Sequence, residues 1–449
     1  MQESTTMVLV RGRFRSKLGF IFAASGSAIG LGNIWKFPYM AGQNGGGAFL
    51  VLYLGVVFTL GISVMLAEFV IGRAAERNPV GAFAKLKGGW WPLVGYMGIA
   101  AGFIILSFYS VVGGWTIAYL VKTAAGQLAT SDPQALGGVF GEFTADPWEP
   151  LIYHGLFMAL TMAVVGRGVG GGIERASRIL MPAFFILLLI LVVRSLTLPG
   201  AAEGLAFFLE PDFSKVDAGM FNAALSQAFF SLSLGIGAMT TFGSYLSPRE
   251  NLPGDALWVT LLDTMVAVLA GCLILPAVFA FGFDPAAGPG LTFITLPAIF
   301  SQMPMGGLFG TLFFVLLVIA ALTSAVSLLE VVVAYFIDER GFSRAAAVTV
   351  FGTIIFLLGV PSSLSFGVLS GFTVAGKGFL EAMDYAASNL LMPLGAIFTA
   401  LFVGWVIYPK ALAEATNNGS LPFAWARPWG LVCRYVAPAA IVWILVNGL

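Results

Sequence analysis

Long apolar runs separated by short polar patches make up most of this chain. Eleven runs read as helical spans, at roughly 16–40, 46–72, 91–122, 150–166, 176–197, 219–246, 254–282, 306–338, 344–359, 376–407 and 429–447. Most reach the roughly 20 residues that a helix needs to cross a hydrocarbon core. A membrane β-barrel would instead alternate apolar and polar residues over segments of about ten. Two of the runs are interrupted by glycine pairs at matching places. One reads Ala-Ser-Gly-Ser-Ala-Ile-Gly-Leu-Gly-Asn over 24–33, and the other reads Phe-Phe-Ser-Leu-Ser-Leu-Gly-Ile-Gly over 229–237. Paired glycines let a helix unwind. Unwound backbone is tolerated at membrane depth only where protein or a water-filled cavity covers it. Interrupted spans at corresponding places in two halves point to the binding site of a transporter.

The spans superpose as two sets of five, each opening on a broken helix. Five is odd, so the second set is inverted. The expected fold is therefore an all-α integral membrane protein with 11 transmembrane helices, a 5+5 inverted repeat and broken helices 1 and 6. It forms a single transporter domain over 1–449, with repeat one at about 16–197, repeat two at about 219–407 and an additional helix at about 429–447. Stretches 123–149 and 283–303 read as outer loops, the second with room for a short helix.

Composition agrees with this pattern. The chain is 59% hydrophobic and only 10% charged, against about 25% charged in soluble proteins. Zero net charge gives no bulk attraction to nucleic acid. Cys272 and Cys433 lie in apolar stretches and define no disulfide framework, and the lone His154 argues against a multi-histidine metal site. The basic run Arg11, Arg13, Arg15 and Lys17 leads into a span without a cleavage pattern, so it reads as a cytoplasmic start rather than a signal peptide. Seventeen of the 22 Lys and Arg then fall inside, and five (Lys36, Lys122, Arg194, Lys215, Lys377) fall outside. This asymmetry orients a multi-pass protein of the plasma (inner) membrane with Leu449 outside. Gly30-Leu31-Gly32 has no third glycine at nucleotide-binding spacing, so ATP-driven transport is not indicated.

A broken helix leaves C=O groups that attract cations and N–H groups that attract carboxylates. Gly26, Ala28 and Ile29 are placed to offer carbonyls, and Leu31 and Gly32 to offer N–H groups. The competing reading is a glycine zipper for tight helix packing. Asn33, Asp263, Thr323 and Ser324 are polar within apolar spans. An intramembrane carboxylate such as Asp263 marks an ion or proton pathway unless it sits near the inner interface. Thr323 and Ser324 either serve the site or bond back to their own helix. All four supply oxygens, which suits Na⁺. No nucleophile–base or metal cluster points to an enzyme.

These residues carry a family resemblance. Leu18 to Gly47, including Gly-Ser-Ala-Ile-Gly-Leu-Gly-Asn-Ile-Trp-Lys-Phe-Pro-Tyr, is similar to the first helix of the neurotransmitter:sodium symporter family, which includes the bacterial leucine transporter. The run from Gln227 to Gly237 resembles its sixth helix, Ala320 to Ser324 its eighth, and Met383-Asp384 its tenth. The resemblance implies two sodium sites. The first would use the Ala28 carbonyl, Asn33, Ser231, Asp263 and the substrate carboxylate. The second would use the carbonyls of Gly26, Ile29 and Ala320 with the hydroxyls of Thr323 and Ser324. Substrate would lie among Ser27, Ala28, Gly30, Leu31, Gly32, Ile105, Tyr109, Phe230, Ser231, Ser233, Ile236, Ser324 and Leu328.

The resemblance also implies gates. Lys36 with Asp384 would form an outer gate, and Tyr109 and Phe230 would close over the substrate from outside. Arg11 with Asp338 would close the inside, over Phe14. Lys replaces the usual Arg at position 36 and makes no bidentate bond, so the outer gate is expected to be loose. Gly172 and Pro182 match a pattern that lets the fifth helix unwind toward the cytoplasm. Gly30 stands where amine carriers place an aspartate, which favours amino acids. The uncharged pocket favours neutral ones, and Ile236 in place of a bulkier Phe favours large apolar or aromatic side chains. Asp263 stands where many members have Asn and supplies the negative charge that chloride provides elsewhere. Sodium-coupled, chloride-independent symport of neutral hydrophobic or aromatic L-amino acids by alternating access is thus expected. A proton-coupled transporter of the same fold and an amino-acid sensor remain the alternatives. Oligomeric state is not legible.

Overall fold

The computed structural model describes residues 12–286, 288 and 290–447. Arg11 and Leu449, expected at the inner gate and outer end, lie outside the described residues. Nine described helices are long and apolar enough to cross a membrane: Gly47–Ala75, Pro92–Ala124, Glu149–Gly166, Val169–Leu196, Leu252–Ala280, Gly306–Arg340, Arg344–Leu364, Phe379–Val406 and Ala426–Val446. A tenth crossing is the pair Lys17–Ala28 and Gly32–Gln43, bent by 51° at the break. The expected span 219–246 consists of two helices, Ala218–Ser231 and Ala238–Gly243, separated by non-helical residues 232–237.

The two breaks form for different physical reasons. In the second, Ser233, Gly235 and Gly237 take φ of +53°, +81° and +73°, a region that glycine enters freely. In the first, the chain turns at Ile29, which is extended at φ −70°, ψ 104°. Here the glycines provide room rather than unusual dihedrals. A Cβ on Gly30 would lie 2.5 Å from Ser324 Oγ and 2.9 Å from the Tyr109 hydroxyl, and one on Gly32 would lie 2.8 Å from the Phe230 ring.

The expected loops contain helices. Pro133–Ala145 folds because Asp132 accepts from the Gln134 N–H and Pro133 occupies the first turn. Leu291–Gln302 is likewise helical, with a proline where its last α-helical turns begin. The long helices Pro92–Ala124 and Gly306–Arg340 pack along each other at the centre, where their apolar windows are 72% and 78% buried. Only 33% of the corresponding windows is buried in Glu149–Gly166, Val169–Leu196, Arg344–Leu364 and Ala426–Val446. Those four spans form the rim, and residues such as Ile186, Leu189 and Leu357 face outward. Lipid is as apolar as a protein core, so the hydropathy of a span does not separate centre from rim.

Candidate substrate and cation site

The broken ends of the two short helical pairs meet against the Gly306–Arg340 and Leu252–Ala280 helices. Asn33 follows the first break and is fully buried. Its Oδ1 accepts from the Gly30 N–H at 3.1 Å. Its Nδ2 donates to Ser231 Oγ at 2.9 Å, to Asp263 Oδ1 at 2.8 Å and to the Asp263 carbonyl at 3.2 Å. Ser231 Oγ donates to Asp263 Oδ2 at 2.9 Å, and the Tyr53 hydroxyl donates to Ser231 Oγ at 3.2 Å. Three side chains from different halves of the sequence thus form one oxygen-rich cluster, with the charge of Asp263 buried inside it.

A second cluster lies on the other side of the first break. Ser324 Oγ lies 3.4, 3.1 and 3.2 Å from the carbonyl oxygens of Gly26, Ser27 and Ile29. Thr323 bonds back into its own helix, donating to the Ile319 and Ala320 carbonyls at 3.1 Å each. The end of the first helix therefore turns its free carbonyls toward the hydroxyl of Ser324.

Between the clusters is a small cavity lined by Ala28, Gly30, Gly32, Ile105, Tyr109, Phe230, Ser233, Ile236, Ser324, Leu328 and Met392. Tyr109 accepts from the Leu31 N–H at 3.2 Å. Tyr109 and Phe230 also line a neighbouring cavity that holds Lys36 and Asp384, so the two rings form the partition. A wider opening beyond it, of about 530 Å³, is lined by Trp35, Tyr39, Lys377, Glu381 and Asp384 among others.

Several expected positions differ. Ser27 does not line the cavity: its hydroxyl donates to Ser327 at 2.7 Å, and its carbonyl accepts from Ser233 at 3.1 Å. Leu31 lines the outer cavity instead, and Ser231 is turned into the Asp263 cluster. Lys36 and Asp384 share the outer cavity without an ion pair. Lys36 Nζ sits 4.3 Å over the Phe230 ring, and Asp384 accepts from Ser388 at 2.8 Å. Asp338 accepts from the Asn78 N–H at 2.9 Å at the opposite end of the molecule. Phe14 packs there against Phe20, Phe242 and Tyr245.

A sequence model described as the sodium:neurotransmitter symporter family matches residues 11–134 and 150–449. The chain belongs to this family. Among relatives of the symporter, the sodium-dependent transporter YhdH of Bacillus subtilis (strain 168) is 44% identical over 437 residues, covering 97% of each chain. A sodium-dependent transporter of Methanocaldococcus jannaschii is 34% identical over 462 residues, 96% of this chain and 90% of its own. The sodium- and chloride-dependent taurine transporter of the dog is 27% identical over 500 residues, 97% of this chain and 78% of its own. Among solved structures, that of MhsT in complex with L-phenylalanine superposes with a TM-score of 0.90 at 49% identity, over 98% of this chain and 100% of the other. The symporter is thus a multi-pass member of a family of sodium-dependent transporters rather than of enzymes.

The symporter also holds residues that the pattern reading passed over. Glu68, in the Gly47–Ala75 helix, accepts from the Gly235 N–H at 2.7 Å and the Thr240 N–H at 3.2 Å. It thereby satisfies both sides of the second break. Glu330 accepts from the Tyr245 hydroxyl at 2.6 Å and from Arg344 at 2.7 and 3.0 Å. Both are intramembrane carboxylates, so the rule that singled out Asp263 applies to them equally. Gln227 Nε2 donates to the Gly32 carbonyl at 2.8 Å and joins the two broken segments. Nothing in the local pattern marks Met392 as a cavity residue.

Proposed function

We propose that this symporter carries neutral hydrophobic or aromatic L-amino acids with Na⁺ by alternating access, independently of chloride. Eleven crossings in a 5+5 inverted repeat, with the N-terminus in the cytoplasm, fit the two broken segments and the distribution of basic residues. The observation that carries the reading is the mostly apolar cavity between two oxygen clusters, at the junction of both breaks. The Leu31 N–H, held only by a side-chain hydroxyl, could turn to a substrate carboxylate, and the carbonyls and hydroxyls around Ser324 suit a cation.

Two Na⁺ ions are proposed as co-transported cargo. One would be held by Asp263, Ser231, Asn33, the Ala28 carbonyl and the substrate carboxylate. It would take the position of the Asn33 amide nitrogen, with the carboxamide turned to present Oδ1. The other would be held by Ser324, Thr323 and the carbonyls of Gly26, Ile29 and Ala320. Because substrate and cation would share a contact, each would raise the affinity of the other. Two charges moved inward at 100 mV supply roughly 4–5 kcal/mol before any Na⁺ gradient. That sustains accumulation on the order of a thousandfold. The negative charge of Asp263 takes the electrostatic role of chloride. The uncharged cavity walls disfavour charged side chains, and the L-phenylalanine bound by MhsT supports an aromatic cargo.

Uptake of labelled tryptophan and leucine into proteoliposomes, with an inward Na⁺ gradient and gluconate in place of chloride, tests the reading. Na⁺-dependent uptake that is unaffected by gluconate is expected. Uptake that follows a proton gradient without Na⁺ would replace sodium coupling with proton coupling. No uptake of either amino acid under any gradient would remove the substrate assignment.

A further inference from the structure

The residues ahead of the Lys17–Ala28 helix run along a glycine-rich bend between the Glu149–Gly166 and Val169–Leu196 helices. The approach is close. A Cβ on Gly12 would lie 3.3 Å from Val169 Cβ, one on Gly170 would lie 2.9 Å from Arg15 Nε, and one on Gly19 would overlap the Glu174 carboxylate. The bend begins at Gly168, with φ +83°, and continues as the wide π-helical turn Val169–Ile173. Glu174 is the next residue and is only 2% exposed. Its Oε2 accepts from the Arg15 N–H at 2.8 Å, and its Oε1 accepts from the Ser16 hydroxyl at 2.8 Å. Ser16 in turn caps the first helix, accepting from the Gly19 N–H at 3.1 Å.

The same short segment is held elsewhere. The Phe14 N–H donates to the Tyr245 carbonyl at 3.3 Å. Arg13 pairs with Glu76 at 3.0 Å, but both side chains are about half exposed, so that pair is weak. Residues 13–16 therefore bridge the second broken segment, the end of the Gly47–Ala75 helix and the start of the fifth span. Glu174 provides the buried part of this bridge.

We infer that Glu174 is a positioning residue that makes release of the N-terminal segment and opening of the 168–174 bend a single event. The inference rests on the alternating-access reading and adds a coupling element on the inner side. If the segment left alone, a buried carboxylate would lose both of its donors, which is strongly unfavourable. Water is the available replacement, and the bend on which the segment lies is the adjacent route for it. If the bend unwound alone, Glu174 would move and draw Ser16 from the first helix, uncapping the element that carries the Gly26 and Ile29 carbonyls. Neither motion is favourable without the other.

Hydrogen–deuterium exchange of the whole protein in lipid nanodiscs, with Na⁺ or K⁺, reads this directly. In the wild type, peptides over 12–24 and 167–180 should gain exchange together when Na⁺ is replaced by K⁺. In Glu174→Ala, the 12–24 peptide should exchange on the order of tenfold faster even in Na⁺ and no longer track 167–180. Glu174→Gln keeps an acceptor for the Arg15 N–H and can donate its amide N–H to Ser16 Oγ, which accepts as well as donates, and should restore most of the linkage. Should the alanine variant not fold, Gly19→Ala, which displaces the carboxylate from the other side, should give the same uncoupling. Unchanged protection of 12–24 in the folded variant overturns the inference. So does an equal rise in a distant peptide over 306–340, which would mark general destabilisation. Wild-type uptake tests the transport reading separately, and the exchange result stands with or without it.

Discussion

Asp263 is fully buried and divides its carboxylate between Asn33 and Ser231. On the proposed reading its charge serves a cation and makes chloride unnecessary. Asp263→Asn removes that charge while keeping the shape. Its uptake in gluconate should fall by about tenfold or more, the size of a lost charged hydrogen bond, and chloride should restore part of it. Side-by-side uptake in the two anions checks this. Gly30 has no room for a methyl between Ser324 and Tyr109. Gly30→Ala should lower uptake by about tenfold, in line with overpacking strain of about 1–3 kcal/mol, and substrate-binding titrations would show weaker affinity. Ile236→Phe should narrow the cavity and lower the tryptophan-to-leucine uptake ratio by about tenfold. An unchanged ratio would remove Ile236 from the specificity wall. At this scale the sequence shows which residues are out of place chemically, because a polar group in an apolar run stands out. It does not show partners: Asn33 and Asp263 are 230 positions apart, and Ser27 turns to Ser327 rather than to the cavity.

The broken helices are held open by side chains from unbroken ones. Glu68 binds the N–H groups of Gly235 and Thr240, which helical bonding does not satisfy. Glu68→Ala should destabilise the protein by about 2–6 kcal/mol, from two buried donors at about 1–3 each. A thermal shift of the purified protein measures this, and Glu68→Gln, which keeps one acceptor, should lose less. An unshifted melting profile for the alanine variant would mean that water satisfies both groups. Existence of the breaks was legible from paired glycines, but their geometry was not. The positive φ at Gly235 and Gly237 follows from glycine chemistry, whereas the turn at Ile29 depends on neighbours that demand space at Gly30 and Gly32. The Pro133–Ala145 helix was signalled by its Asp-Pro start, a local cue outweighed by the polar character of the stretch.

Across the whole molecule, the apolar runs and sparse charge determined by themselves that the chain crosses a membrane many times as helices. Where lipid surrounds the chain, backbone groups must be satisfied within each segment, and only long apolar helices do that. Glycine placement determined where two of those helices fail, and residue chemistry picked out Asn33, Asp263, Thr323 and Ser324. Tertiary structure alone decided which spans are central and which form the rim, since lipid and protein interior accept the same side chains. It alone joined Glu68, Gln227 and Met392 to the broken segments and the cavity, and Glu330 to Tyr245 and Arg344. Such contacts link positions far apart in sequence, and no local pattern of hydropathy or propensity encodes them.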